Sequence, residues 1–344
     1  MGKTCSIVGA SGYIGGEVAR LVLGHPELEL VQVTSESNVK KPFKSVHPNF
    51  RGRTDLLFSS LKDLETVEVL FLALPHGVAM EKIQELSKKA QVIVDLSEDF
   101  RLRSADLFSA WHDEPHRAPE WLSKFVYGLP ELHREALKTA NFIACPGCNP
   151  TAVILALAPL YRAGIVETDR TVVEAKISSS AAGNKPSLGS HHPERSGSVR
   201  SYQPTGHRHT GEMCQELGVD GVHFSATSIE MVRGILATAH VFLKENLEEK
   251  EIWKIYRDAY GKEPFIRIVK EASGVYRYPE PKIVMGTNFC DIGFERDPKS
   301  NRLVVMSAID NLTRGSAGNA IQSLNIRFGW DETLGLEFIG LHPE

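Results

Sequence analysis

The stretch Cys145-Pro-Gly-Cys148-Asn149-Pro150-Thr151 holds the residues of this chain best suited to covalent chemistry. A Cys-x-x-Cys pair suits redox exchange or zinc. No second pair at zinc-ribbon spacing follows, however, and the motif lies deep in the chain, far from any thioredoxin-like opening. Asn149 and Pro150 read as the N-cap and first residue of an apolar helix over 152–163. Cys148 then sits just ahead of a helix N-terminus, where the macrodipole and unpaired N–H groups favour a thiolate. A thiolate so placed is a nucleophile. Cys145 ends a strand and reads as a packing residue, with a Cys145–Cys148 disulfide only as an oxidative side reaction. Cys5, Cys214 and Cys290 fall in periodic apolar stretches and read as core.

A nucleophilic thiol needs a base, and a later oxyanion needs a proton donor; one histidine near its unperturbed pKa can do both. The polar run Ser190 to Arg200 and the segment Gly206-His-Arg-His-Thr-Gly-Glu212 supply candidates. His207 and His209 share one face if that segment is extended, and the sequence does not choose between them. A metal reading of this pair lacks a Cys or carboxylate set at ligand spacing, so no metal site is expected. Arg195, Arg200 and Arg208 offer planar cationic forks for phosphate or carboxylate. Asn149 and Glu212 are counted with Arg195 and Arg200 as candidate substrate contacts. His76, in Leu74-Pro-His-Gly77, lies at the end of a strand where sheet ligands bind, and is as suited to shaping the loop as to reacting.

These residues need a scaffold. Cys5 to Val8 reads as a buried strand, Gly9-x-x-Gly12-x-x-Gly15 as a tight turn and Glu17 to Gly24 as a helix, the arrangement that holds a pyrophosphate at a helix N-terminus. Further strands are expected at 28–34, 67–74, 91–96 and 141–144, with a helix at 78–89, which together predict a parallel sheet covered on both faces. After the second strand, Ser35 and Ser37 with Lys40 and Lys41 suit a 2′-phosphate, whereas Glu36 could accept from free ribose hydroxyls. From Val172 onward, strands are expected at 172–177, 222–228, 235–242, 283–292 and 303–309, largely without crossover helices. The expected fold is therefore α/β: a Rossmann-type parallel-sheet domain plus a second α+β domain with a largely antiparallel sheet. A helix over 246–260 with Asn246 as N-cap and a C-terminal helix over 315–328 complete the pattern. The expected domains are 1–148 with 313–344, for the dinucleotide, and 149–312, for catalysis, substrate and oligomerisation.

Composition narrows the class. A length of 344 residues favours two domains, and a net charge of -4 with 24% charged residues leaves no basic footprint for nucleic acid. No apolar run spans a bilayer and no signal-peptide pattern opens the chain, so a cytoplasmic protein is expected. Five cysteines in so long a chain fit a reducing compartment rather than a disulfide framework.

The chain resembles, nearly end to end, the N-acetyl-γ-glutamyl-phosphate reductases of arginine biosynthesis and the similar reductases that act on LysW-bound γ-aminoadipyl or glutamyl phosphate. The resemblance runs through Gly9 to Gly16, Leu74 to Gly77, Val94-Asp-Leu-Ser97 with Asp99-Phe-Arg101, Tyr127 to Glu131, Pro146 to Thr151, Gly206 to His209 and Ala308 to Leu312. The stretch His191 to Arg200, with Pro204 to His209, is closer to the branch that uses a carrier protein. The resemblance implies NADP(H) held by Gly9, Ser11, Gly12, Tyr13 and Ile14 and by Ser35, Glu36 and Ser37, with Asn311 near the nicotinamide. It further implies Cys148 as the thioester-forming nucleophile of a semialdehyde-producing oxidoreductase, and an acidic LysW-like carrier or a free acyl phosphate as partner. The extended second sheet suits a homodimer or homotetramer. Two departures stand out: the arginine branch commonly has Tyr where this chain has Asn149, and related enzymes often have a basic residue where it has Glu36. Competing readings are a redox-sensing dinucleotide-binding regulator and a dehydrogenase with no covalent step.

Overall fold

Apolar runs such as Val67–Leu72, buried almost throughout, can only be strands covered on both faces, and the first sheet is built from them. The computed structural model describes residues 2–343. By contacts the chain divides into a unit of Met1–Pro146 with Ser316–Glu337 and a unit of Gly147–Gly315 with Phe338–Glu344. No helix among the described residues is long and apolar enough to cross a membrane.

The first unit holds strands β1 (Lys3–Val8), β2 (Leu28–Thr34), β3 (Phe58–Ser59), β4 (Val67–Leu72), β5 (Ala90–Asp95), β6 (Phe125–Tyr127) and β7 (Phe142–Ala144). They form one sheet in the order β3-β2-β1-β4-β5-β7-β6, and every neighbouring pair is parallel. That is the doubly wound dinucleotide-binding arrangement, with ligand sites outside the carboxyl ends of the strands. Two short strands, β3 and β6, had no sequence signal of their own: a two- or three-residue edge strand is too short to show a period. The helix Gly318–Phe328 belongs to this unit, tied by Arg134 to Glu332 and by His25 Nε2 to Asn325 Oδ1 at 2.9 Å.

The second unit holds β8 (Thr171–Ile177), β9 (Arg200–Gln203), β10 (Val222–Ser228), β11 (Ile235–Phe242), β12 (Ile266–Ile268), β13 (Cys290–Arg296) and β14 (Arg302–Ile309). Their order is β12-β13-β14-β11-β8-β10-β9, with four antiparallel pairings and two parallel ones, β8 with β10 and β12 with β13. The parallel pair β8–β10 needs a long crossover, and the polar stretch after Ile177 is that crossover, carrying β9 and the helix Thr210–Leu217.

Two boundaries moved for local reasons. The strand expected at 283–292 starts only at Cys290, because Pro279, Pro281 and Gly286 (φ +74) keep the preceding residues in turns. The helix expected from Asn246 starts at Glu249, since Glu248 and Glu251 form a reciprocal cap while Asn246 takes a hydrogen bond from Arg296.

The helix Cys148–Arg162 is buried from Asn149 to Leu160 and packs on the second sheet, where Ser307 Oγ donates to Ala152 O at 2.8 Å. Pro159 inside it has no N–H for the Leu155 carbonyl, and the Tyr260 hydroxyl donates there instead at 2.7 Å. Tyr256 does the same for Ala156 O. A helix so anchored is a rigid mount for whatever its first turn carries.

Candidate active site

The first turn carries Cys148. Gly147, extended at φ -66 and ψ 152, is the N-cap, so Cys148 is the first helical residue. The expectation of Asn149 as cap and Pro150 as first residue is thereby corrected by two positions. The physical reason is that proline is tolerated anywhere in the first turn, where its missing N–H has no intrahelical acceptor. The correction moves the thiol into the turn where the macrodipole most favours negative charge.

Freed from capping, the Asn149 side chain is buried and its Nδ2 lies 3.2 Å from His209 Nδ1. With the amide turned so that its otherwise unpartnered Oδ1 faces the ring, Nδ1 carries the proton and Nε2 is left as a base. The His209 backbone N–H in turn donates to His207 Nδ1 at 3.1 Å, and the two rings tilt together with centroids 4.7 Å apart. His207 also meets the edge of Phe224 at 5.3 Å. Of the pair, His209 is the buried one and the one joined to the residue beside Cys148. Glu212, buried one turn further on, accepts from the Gly147 N–H through Oε2 at 2.9 Å. Its carboxylate thus fixes the peptide from which the helix Cys148–Arg162 starts.

Sequence reasoning missed Gly315. A Cβ on that residue would lie 2.7 Å from Cys148 Cβ and 3.1 Å from its Cα, so only glycine lets the segment after β14 pass behind the thiol. The run Ala308 to Leu312 drew attention to this segment, but the requirement for close approach is invisible without coordinates. Asn311 is buried, its Oδ1 accepting from the Gly234 N–H at 2.8 Å and from Ser178 Oγ at 3.1 Å. Arg195 donates to the Ile177 and Ile229 carbonyls, the latter at 2.6 Å, so much of its fork serves the crossover itself. Arg200 is exposed and holds the Glu194 carbonyl at 2.8 Å. Arg208 is also exposed. Partial burial raises the Tyr202 phenol to about 12, with Cys148 adding to the rise and Arg208 and Arg195 opposing it. Tyr202 and the two arginines are therefore within electrostatic reach of one another.

In the first unit, Gly9 takes φ +80, and a Cβ there would strike the Ala73 carbonyl; a Cβ on Gly15 would lie 2.6 Å from Ala10 Cα. The turn before the helix Tyr13–Gly24 is thus a glycine cradle, and Gly12 as N-cap supplies no side chain to occupy it. Beside it, Ser35 Oγ donates to Ser11 Oγ at 2.9 Å, and Asn38 Nδ2 donates to Ser35 and Ser37. Glu36 turns away: its Oε1 accepts from the Leu61 N–H at 2.8 Å.

Cys145 is fully buried, and burial pushes its thiol far above the ordinary range. Arg101 Nε donates to its carbonyl at 2.7 Å. It is a packing residue. None of the five cysteines is in a disulfide.

Two sheets of these topologies, with a cysteine opening a buried helix, define the semialdehyde dehydrogenase class. The NAD binding domain of that class matches residues 4–140, and its dimerisation domain matches residues 148–311. The likeness extends to solved structures: aspartate semialdehyde dehydrogenase II of Vibrio cholerae superposes with a TM-score of 0.73 over 96% of this chain and 99% of its own, at 16% identity. The chain is an oxidoreductase of the kind that acts on aldehyde or acyl phosphate groups.

Within that class it belongs to the family of the LysW-L-2-aminoadipate 6-phosphate reductases. The bearer of that name in Deinococcus radiodurans is 54% identical over 99% of this chain and 98% of its own length. A Thermomicrobium roseum relative is 55% identical over 98% of each chain. In Saccharolobus solfataricus a protein named LysW-L-2-aminoadipate/LysW-L-glutamate phosphate reductase is 44% identical over 98% of each.

Proposed function

We propose that this enzyme reduces the γ-acyl phosphate of a LysW-borne aminoadipyl or glutamyl group to the semialdehyde, through a thioester on Cys148, in a reducing cytoplasm. The observation that carries the reading is the first turn of the helix Cys148–Arg162: its thiol is backed by Gly315, Gly147 is held by Glu212, and Asn149 is joined to His209.

The Cys148 sulfur attacks the acyl carbon, the C–S bond forms as the C–O bond to phosphate breaks, and inorganic phosphate leaves with the electron pair. The first-turn N–H groups of Cys148 and Asn149, which have no acceptor within the helix, face the developing oxyanion. NADPH held at the cradle of Gly9, Gly12 and Gly15 would supply the hydride that reduces the thioester carbon. His209, its ring held at Nδ1 by the Asn149 amide, takes the thiol proton on Nε2 before attack and gives it to the oxygen afterwards. Collapse of the thiohemiacetal then returns the thiolate and releases the aldehyde. Asn149 and Glu212, counted from sequence as substrate contacts, act chiefly by positioning His209 and Gly147.

The glycine cradle over Gly9, Gly12 and Gly15 fits a pyrophosphate. The hydroxyl cluster of Ser11, Ser35 and Ser37 beside Lys40 and Lys41 favours the 2′-phosphate of NADP, and the engagement of Glu36 with Leu61 removes the carboxylate that would prefer a free ribose diol. Arg200 and Arg208 supply the cationic rim for an acidic carrier, with Arg195 bracing it from below. The test is a side-by-side assay of LysW-borne aminoadipyl phosphate and free N-acetyl-γ-glutamyl phosphate with NADPH. A higher kcat/KM is expected for the carrier-borne substrate, and equal or better use of the free one would refute the assignment.

A further inference from the structure

In the first unit, two loops at the carboxyl ends of adjacent parallel strands meet the end of a helix. His76 follows β4, Glu98 follows β5, and His112 is the last residue of the helix Ala105–His112. One donor atom from each lies within 4.8 Å of the other two. His112 Nε2 is 3.6 Å from Glu98 Oε2, close to the edge of a tetrahedron drawn by zinc bonds of about 2.0–2.2 Å. We propose that His76, Glu98 and His112 form a binding site for a divalent transition ion of the zinc class, which clamps these two loops to the helix end.

Three observations beyond the cluster itself favour a ligand site. The first is that the imidazoles are already oriented as ligating histidines are. His112 Nδ1 lies 3.1 Å from the Phe108 carbonyl, which fixes the N–H there and turns the Nε2 lone pair toward Glu98. His76 has Asp99 Oδ1 3.1 Å from Nδ1 and Glu114 Oε1 3.0 Å from Nε2, so whichever nitrogen turns to an ion, the other keeps a carboxylate partner. Asp99 is itself fixed, accepting from the Gly77 and Met80 N–H groups at 2.8 Å each.

The second is rotamer locking. The His112 ring stacks on Phe108 at 4.1 Å and on His76 at 5.1 Å, and its side chain is only 5% exposed. The third is field and access. Glu98, Asp99, Glu114 and a helix C-terminus surround the site with negative potential. Arg117 is the nearby cation, and it pairs with the other oxygen of Glu114 and with Glu81. The side chains of His76 and Glu114, 31% and 30% exposed, leave an entry path, and Glu114 or water completes the coordination. Imidazole and carboxylate donors select zinc or its neighbours over magnesium or calcium.

The experiment is zinc chloride titration by calorimetry on the full-length chain without a histidine tag, stripped with chelator, in a Cys148→Ser background that removes the competing thiol. Cobalt chloride serves as the optical probe. Stoichiometric zinc binding, visible cobalt absorption of nitrogen–oxygen coordination and a raised Tm with zinc are expected. His112→Ala and, separately, the conservative Glu98→Gln should each weaken binding by about tenfold or more. Circular dichroism confirms that each variant is folded. Unchanged affinity in both variants, or no binding to a folded parent at millimolar zinc, would overturn the proposal.

Discussion

The proposed nucleophile Cys148 depends on Gly315 behind it and on Glu212, which holds the peptide before it. Gly315 leaves room behind it, so Gly315→Ala inserts a methyl 2.7 Å from Cys148 Cβ, which overpacking of this kind makes costly by about 1–3 kcal/mol. The expected outcome is a lower Tm and a lower kcat with NADPH affinity retained, read by thermal melting and steady-state kinetics. Glu212→Ala leaves the Gly147 N–H buried without its acceptor, a loss of about 1–3 kcal/mol. It should reduce kcat more than it raises KM, because the helix start shifts while substrate contacts remain. Glu212→Gln, which can still accept through its carbonyl, should restore part of the rate. Cys148 stood out in the sequence as a candidate, since a polar loop cysteine before an apolar helix is not where core cysteines sit. Gly315 did not, because close approach of backbones distant in sequence leaves no local pattern.

The glycine turn and the catalytic helix show what periodicity carries and what it omits. Strands β1, β2, β4, β5, β10, β11 and β14 announced themselves by long apolar or alternating runs, and the helix after Gly147 by its apolar length. The parallel pairing of β8 with β10 did not, because pairing partners are chosen by tertiary contacts rather than by either strand's own pattern. The Asn149 cap was misread for a related reason: Asn and Pro fit cap and first turn equally well in several registers, and only the His209 contact decides.

The elements around the glycine turn also carry a pH signature. His47 lies against Gly16, where a Cβ would come within 2.6 Å of its ring, and its Nε2 donates to the Ala10 carbonyl at 2.8 Å. Burial holds His47, His25 and His116 below the ordinary imidazole value of 6.5. The unfolded chain thus binds protons more readily at these three, so the stability they contribute is present above 6.5 and is lost as pH falls through and below it. His76 acts oppositely: its Asp99 partner raises it, so its contribution is lost as pH rises. Asp95, whose burial raises it to about 7, acts in the same sense as His76, so the test is the difference made by removing one imidazole. Relative to the unaltered enzyme, His47→Gln should therefore lose less Tm, or gain more, as pH drops from neutrality toward the mildly acidic range in calorimetric melts. An unchanged slope would place the titration elsewhere.

At the scale of the whole molecule, one unit carries a dinucleotide cradle and the other a thiol on a rigid helix, and acyl-phosphate reduction needs both. The two-domain α/β plan was readable from alternating elements followed by closely spaced strands. The carrier was readable only through resemblance, since an exposed Arg200 or Arg208 looks like any solvated charge. If those arginines steer an acidic carrier, KM for the LysW-borne substrate should rise with ionic strength, and Arg200→Ala with Arg208→Ala should remove most of that dependence. A salt-independent KM in the unaltered enzyme would count against the docking surface.

The covalent step can be isolated by withholding the reductant. Mixing enzyme with LysW-borne aminoadipyl phosphate and no NADPH should release a stoichiometric burst of inorganic phosphate and leave the acyl group on the Cys148 peptide, visible by mass spectrometry. Cys148→Ser should give neither. An enzyme that turns over normally with NADPH, yet releases no phosphate and stays unmodified at Cys148 without it, would contradict the thioester route.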